Sequence, residues 1–439
     1  MPQLDTGDTA WLLASSALVL LMTPGLALFY GGMVRSKSVL NMMMMSFVTI
    51  GVVTVLWVLF GYSVAFKGTN PVVGNFSALG LQGLLKTTSG TLPELVFAAF
   101  QLMFAIITPA LISGAIADRV KFGAWVTFVA VWTSLCYFPV AHWVFYFNKG
   151  QGGWIADHLQ ALDFAGGTAV HINAGAAGLA LAFVVGKRVG WRRDPMRPHN
   201  LPTVLLGASL LWFGWFGFNA GSAVAANGLA GIAFMNTQVA TASAVIGWLV
   251  TEKVRDGHST TLGAASGAVA GLVAVTPAAG SITPMASILL GLLAGWVCAL
   301  AVGMKYRFGF DDSLDVVGIH LVGGLLGTLY IGFFATADIT GGAEGLFYGG
   351  GWSQLGKQAI AAFAVMAYSF ILAWLIGTVI DKTMGMRVPE EDEVNGIDLT
   401  VHAETAYEFA GVGGSHLIGG GPGSGPGAAA GSTERTVSA

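Results

Sequence analysis

Residues 163–179 read DFAGGTAVHINAGAAGL, and residues 311–320 read DDSLDVVGIH. In each stretch a histidine follows a carboxylate by eight positions, His171 after Asp163 and His320 after Asp312. Small and apolar residues surround both histidines, and the apolar character persists to about residue 186 in the first case and 335 in the second. Eight residues of helix rise ~12 Å, less than half of a ~30 Å hydrocarbon layer. If these runs cross a membrane, both imidazoles lie inside it.

Composition supports that condition. Of the 439 residues 54% are hydrophobic and only 10% are charged, whereas soluble domains carry about 25% charged residues. The 63 glycines suit helices that pack closely in lipid, where small residues let backbones approach. A helix needs roughly 20 apolar residues to cross. Eleven candidates lie near 9–32, 40–65, 93–117, 122–147, 165–186, 201–223, 230–251, 261–277, 283–303, 316–335 and 357–380. The eighth is short and rich in Gly and Ala. The expected fold class is therefore an all-α polytopic membrane protein.

Charge then fixes orientation. Sixteen of the twenty Lys and Arg residues fall after spans 1, 3, 5, 7, 9 and 11. Only Lys67, Lys86, Lys149 and Lys357 fall on the other side. This bias puts the sixteen in the cytoplasm, the N-terminus outside and the C-terminus inside, as expected in a cell inner membrane. An odd span count suggests two five-span halves, about 9–190 and 200–335, inserted in opposite senses, plus span 357–380. Span 5 then opens Asp163-Phe-Ala-Gly166, and span 10 opens Asp315-Val-Val-Gly318. The two histidines reach similar depth from opposite faces.

Residues 1–380 form the membrane domain in this division. Residues 381–415 are charged and amphipathic, a candidate cytoplasmic tail, and 416–439 are low-complexity and expected to be disordered. The acidic start MPQLDTGDTA lacks the basic region of a cleaved signal. Cys136 and Cys298 lie in apolar runs and imply no disulfide framework. A net charge of −3 gives no reason to expect a nucleic-acid partner.

One histidine in an apolar span is more often a satisfied core residue than a functional one. Two at matching repeat positions reverse the odds, because ionisable groups inside a membrane are expensive and mark function. Neutral imidazoles can bond each other and still offer a donor or acceptor to a small substrate. Two ligands with no carboxylate or thiol at their depth do not satisfy zinc, so no metal or cofactor is expected. No nucleophile–base set suggests an enzyme. His142, near the outer end of span 4, reads as interfacial.

Several stretches resemble the Amt branch of the Amt/Mep/Rh ammonium transporter family. They are FAIITPALISGAIADR (104–119), residues 163–179, HNLP (199–202), GWFGFNAGSA (214–223), GAASGAVAGLVAVTPAAG (263–280) and residues 311–320. The resemblance runs over roughly 10–410. It implies transport of ammonium or ammonia, and possible methylammonium transport, by a homotrimer with one pore per subunit. A PII-type signal protein is an implied partner at the cytoplasmic face. His171 and His320 are similar to the family's twin pore histidines, and Phe104 and Phe218 to its stacked outer gate. Ser222 and Trp215 match the outer cation site and the nearby pore wall. Asp163 matches a family aspartate whose role stays open between structure and cation attraction. One departure is notable: Phe145 stands where relatives usually carry a cation-binding Trp, which should weaken that site by ~1 kcal/mol. Trp154 and Tyr146, in the longer loop that follows, are candidates to replace it. An ammonium sensor and an Rh-like gas facilitator are the alternative readings.

Overall fold

The computed structural model describes residues 4–407. Among them, ten helices are long and apolar enough to cross a membrane. They are Thr6–Met33, Val39–Phe66, Glu94–Ile116, Phe122–Phe145, Gly167–Val185, Leu201–Gly221, Gly228–Asp256, Pro284–Phe308, Val317–Phe334 and Ser353–Met384. Thr261–Val275, the eighth of the eleven expected spans, has only 15 residues. It nonetheless joins opposite ends of the bundle. Thr260, at its start, donates to Glu252 of span 7. Just beyond its end, Pro277 O accepts the Phe164 amide and Ser281 O the Thr336 amide. A short helix is tolerated here because Ala265–Val275 is wholly buried in protein, so no lipid has to be matched.

Ion pairs and hydrogen bonds show which loops share an end of the bundle. Those after spans 1, 3, 5 and 9 meet through Arg35, Asp118, Arg119, Arg188 and Asp311. Lys67 and Glu94 pair at the other end, where Trp154 also donates its amide to Pro71 O. The basic loops after spans 1, 3, 5 and 9 therefore share one face, the cytoplasmic one by the positive-inside bias.

Spans 1 and 6, which begin the two halves, pack backbone to backbone. A Cβ on Gly207 would lie 2.3 Å from the Phe29 amide nitrogen, and one on Gly32 2.8 Å from that of Val204. Glycine at these positions is what permits the approach. Opposite this seam, both histidine-bearing spans begin with a π-helical segment, Gly167–Ile172 and Val317–Leu321.

The start of span 10 revises the alignment of Asp163 with Asp315. Asp312, not Asp315, caps the helix, accepting the amides of Val316 at 3.1 Å and Val317 at 2.8 Å. Asp315 has a positive φ of 64° and pairs with Lys305 at 2.6 Å. The eight-residue spacing, and not the four-letter match, marks the equivalent carboxylates.

The tail meets expectation in part. The acidic segment Glu390 to Glu393 is predicted to dock through exposed ion pairs on the basic cytoplasmic surface, which includes five basic residues between Lys187 and Arg197. Of this segment Glu390 and Glu391 are exposed and only Glu393 is buried, against the loop that holds Val189. Its carboxylate accepts the Val189 amide at 2.7 Å and the guanidinium of Arg387 at 2.7 Å. The next helix, Ile397–His402, brings Asp398 onto the free amides of Leu40 and Asn41 at 3.0 and 2.8 Å. Docking therefore rests on buried carboxylates and backbone amides. The rest of the expected tail, 408–415, and the low-complexity end lie outside the described residues.

Candidate pore and outer vestibule

Spans 3 and 6 present Phe104 and Phe218 to each other near the outer face. Their rings lie 4.2 Å apart between centroids at 35°, and both residues are about 1% exposed. Beyond them opens a cavity of about 360 Å³ lined by Phe104, Phe145, Tyr146, Asp163, Phe164 and Ser222, together with Tyr62, Lys67 and Glu94. Ser222 spends its hydroxyl proton on Phe218 O at 2.8 Å. Its oxygen remains able to accept, which suits a cation that carries N–H donors.

Asp163 lies on the vestibule wall, but its oxygens are committed. Oδ1 accepts the amides of Gly166 and Gly167 at 2.8 and 2.7 Å, and Oδ2 those of Thr168 and Ala169 at 2.8 and 3.1 Å. These are free amides of the first turn of span 5, which a capping carboxylate satisfies. Burial pushes this carboxyl above its usual range, with the four amides pulling the other way. The geometry favours the capping role.

Inside the aromatic pair the space narrows to about 10 Å³, bounded by Leu26, Ile107, Trp215, Phe218, His171 and His320 among others. That is room for about one water-sized molecule. His171 stacks on Trp215 at 5.4 Å and 18° and on His320 at 5.3 Å and 22°. The two Nδ1 atoms lie 3.2 Å apart. Such a bond needs one donor and one acceptor, which leaves one Nε2 protonated and the other bare. The pair thus presents both a donor and an acceptor. His171 Nε2 is buried and has no hydrogen-bond partner among the described residues.

The structure therefore joins Phe104, Phe218, His171 and His320 by successive ring contacts, with Phe145 and Ser222 on the vestibule wall. Two residues expected in the outer site lie elsewhere. Trp215 is behind the gate, its indole N–H on Thr276 Oγ1 at 2.8 Å. Trp154 packs on Trp143 at 5.7 Å and does not line the vestibule. Tyr146 does line it. His142, at the outer end of span 4, is fully buried in protein, its ring nitrogens 2.9 and 2.7 Å from the carbonyls of Ala65 and Asn70. Sequence reasoning missed the Tyr62–Lys67–Glu94 cluster, although Lys67 is one of only four basic residues on that face.

Known proteins resemble this chain over nearly its whole length. The family model described as Ammonium Transporter Family matches residues 10–407. The chain is 58% identical to an ammonium transporter of Mycobacterium tuberculosis, covering 94% of this chain and 92% of that protein. It is 48% identical to one of Bacillus subtilis, with 92% and 99% covered. The crystal structure of Candida albicans Mep2 superposes with a TM-score of 0.82 at 33% identity, covering 89% of this chain and 88% of that one. A sensor Amt protein superposes at 0.84 with 27% identity, covering 90% and 98%. On its sequence and its fold, this chain belongs to the ammonium transporter family.

Proposed function

We propose that this ammonium transporter recruits the cation in the outer vestibule, strips a proton there, and conducts ammonia past His171 and His320. The observation that carries the reading is the unpartnered His171 Nε2 facing a water-sized, otherwise apolar passage behind a closed aromatic pair. Desolvating a bare cation in such a passage costs of order 20 kcal/mol before relaxation. Removing a proton from an alkylammonium such as that of lysine costs roughly 5 kcal/mol at pH 7. Deprotonation is the cheaper route, and it rejects alkali cations, which have no proton to give.

Ser222 Oγ accepts from the ammonium ion, and the faces of Phe104 and Phe145 stabilise its charge. The released proton passes to vestibule water while ammonia enters between the rings of Phe104 and Phe218. In the passage the bare histidine nitrogen accepts an N–H from ammonia, and the protonated one donates to its lone pair. Asp163 holds the first turn of span 5 and thereby the orientation of His171. The working unit in this reading is a homotrimer in the cell inner membrane, with a PII-type protein as a regulatory partner at the cytoplasmic face. The cytoplasmic docking of Glu393 and Asp398 gives the tail residues 381–407 a place in that regulation.

The test is the His171→Leu/His320→Leu double variant in proteoliposomes, assayed by methylammonium uptake and by ammonium-induced current. Uptake should fall at least a hundredfold while the protein remains monodisperse. Wild-type uptake by the folded variant would refute the mechanism. In the wild type, a current that tracks uptake means that the proton follows ammonia; uptake without current means that it stays outside.

A further inference from the structure

The outer vestibule contains an ion pair that none of these steps uses. Lys67, at the end of span 2, places its Nζ 2.5 Å from Glu94 Oε1 at the start of span 3. Tyr62 donates its hydroxyl to the same oxygen at 2.7 Å. The Lys67 Nζ also lies 5.9 Å from the centre of the Tyr62 ring. A carboxylate, a phenol and an aromatic face thus surround one primary ammonium group. All three residues line the cavity that contains Phe104, Phe145 and Ser222. The lysine side chain is 26% exposed and the glutamate 9%, so the pair is open to the vestibule from the lysine side.

An ion pair between span ends is often no more than a fastening. Two features point further here. The resident cation is an alkylammonium, the same chemical class as the transported ion. The pair also faces the compartment in which that ion collects, and Lys67 cancels the charge of Glu94 there. We propose that Glu94 and Tyr62 form a second cation subsite of the vestibule, occupied by the chain's own Lys67, for which free ammonium and small alkylammonium ions compete. The proposal rests on the vestibule being the side from which ammonium is recruited.

Competition of this kind sets a working range. A tethered group acts at an effective concentration in the millimolar range, so dilute external ammonium displaces Lys67 little and concentrated ammonium displaces it substantially. Without the tether, Glu94 holds a cation beside the gate at lower external concentration. A partly exposed pair of this type corresponds to a shift of roughly two- to fivefold.

The experiment compares wild type with Lys67→Gln, Lys67→Arg and Lys67→Gln/Glu94→Gln. Lys86→Gln, an exposed lysine on the same face, controls for the loss of one outer charge. Methylammonium uptake into proteoliposomes gives half-saturating concentrations. Thermal shift with methylammonium chloride, against sodium chloride at equal ionic strength, gives binding in detergent. Lys67→Gln should lower both midpoints roughly two- to fivefold. Lys67→Arg, whose fork grips a carboxylate more firmly, should leave them at or above wild type. The double variant should lose the gain, and Lys86→Gln should match wild type. Equal binding midpoints for wild type and Lys67→Gln would overturn the subsite. A gain in binding without any methylammonium uptake would leave the subsite standing and overturn the transport mechanism instead.

Discussion

Span 5 reaches the pore from an open vestibule, with Asp163 capping four amides at its rim. Span 10 reaches it from beneath a layer of buried charge. There Asp312 caps only two amides, and Asp311 beside it is fully buried between Arg188 at 2.9 Å and Arg119 at 3.9 Å. Burial pushes the Asp312 carboxyl up to about 7. Burial also pulls the Arg119 guanidinium down to about 10. The spacing from carboxylate to histidine is the same in both halves, and it makes the imidazoles meet. What surrounds each carboxylate differs, and this gives one open mouth and one braced mouth. Repetition supplies the pair, and divergence at the ends supplies the direction.

The largest effect that would break this comparison is on the braced side. Asp311→Asn leaves Arg119 and Arg188 buried against a neutral amide. Removing one member of a buried ionic set costs about 3–5 kcal/mol. Thermal unfolding of the purified protein should show a large drop in midpoint, with loss of expression as the extreme result. Asp163→Asn, on the open side, keeps one acceptor oxygen for the span 5 amides and should cost about 1–2 kcal/mol. Its folded protein should still transport, at a reduced rate, because the cap orients His171 and does not touch the ion. Equal destabilisation by the two changes would remove the distinction between the ends.

The tail sharpens the same contrast. Asp398→Ala frees the two amides at the start of span 2 and should destabilise the docked tail by about 1 kcal/mol. Removing everything after Met386 takes away Glu393 as well and should change transport or its regulation. Because Glu393 and Asp398 are buried, docking should be nearly insensitive to salt between 0.05 and 0.5 M, roughly the range over which exposed pairs weaken. Proteolysis rates of the tail across that range are the check. A steep salt dependence would restore surface ion pairs as the fastening.

Much of this was legible in the sequence, for identifiable reasons. Apolar runs of membrane length and the distribution of basic residues are properties of the chain, so span number and orientation could be read directly. The meeting of His171 and His320 was legible because equal spacing from an end residue converts to equal depth. Asp312 was less so: the Asp-Val-Val-Gly match favoured Asp315, and only the positive φ at Asp315 shows that the helix has not yet begun there. Trp215 and Trp154 were misplaced because an aromatic near a motif carries no label for the side of the gate it occupies. The burial of His142 depends on carbonyls of Ala65 and Asn70, more than 70 residues away, and no local pattern announces them. The tail sequence showed charge but could not show which carboxylate would find unpaired amides.

The smallest effect concerns Phe145, on the open side. Its ring faces the vestibule and lies 6.2 Å from that of Phe104 at 71°. In the proposed outer site a cation resting outside the gate therefore lies close to both rings. An indole offers a stronger cation–π face than a benzene ring, worth about 0.5–1 kcal/mol at a site still in contact with water. The vestibule has room for the larger ring, so Phe145→Trp should fold normally. It should lower the half-saturating ammonium concentration by roughly two- to fivefold. The shift is small because the ion keeps much of its hydration until it sheds its proton, and water competes with the ring for it. Tyr146 also lines the cavity, its hydroxyl tied to Gly68 O at 3.0 Å. An unchanged midpoint in Phe145→Trp, with a raised one in Tyr146→Leu, would move the working aromatic one residue along the chain. The same midpoint in both variants would leave Phe104 and Ser222 as the whole of the outer site.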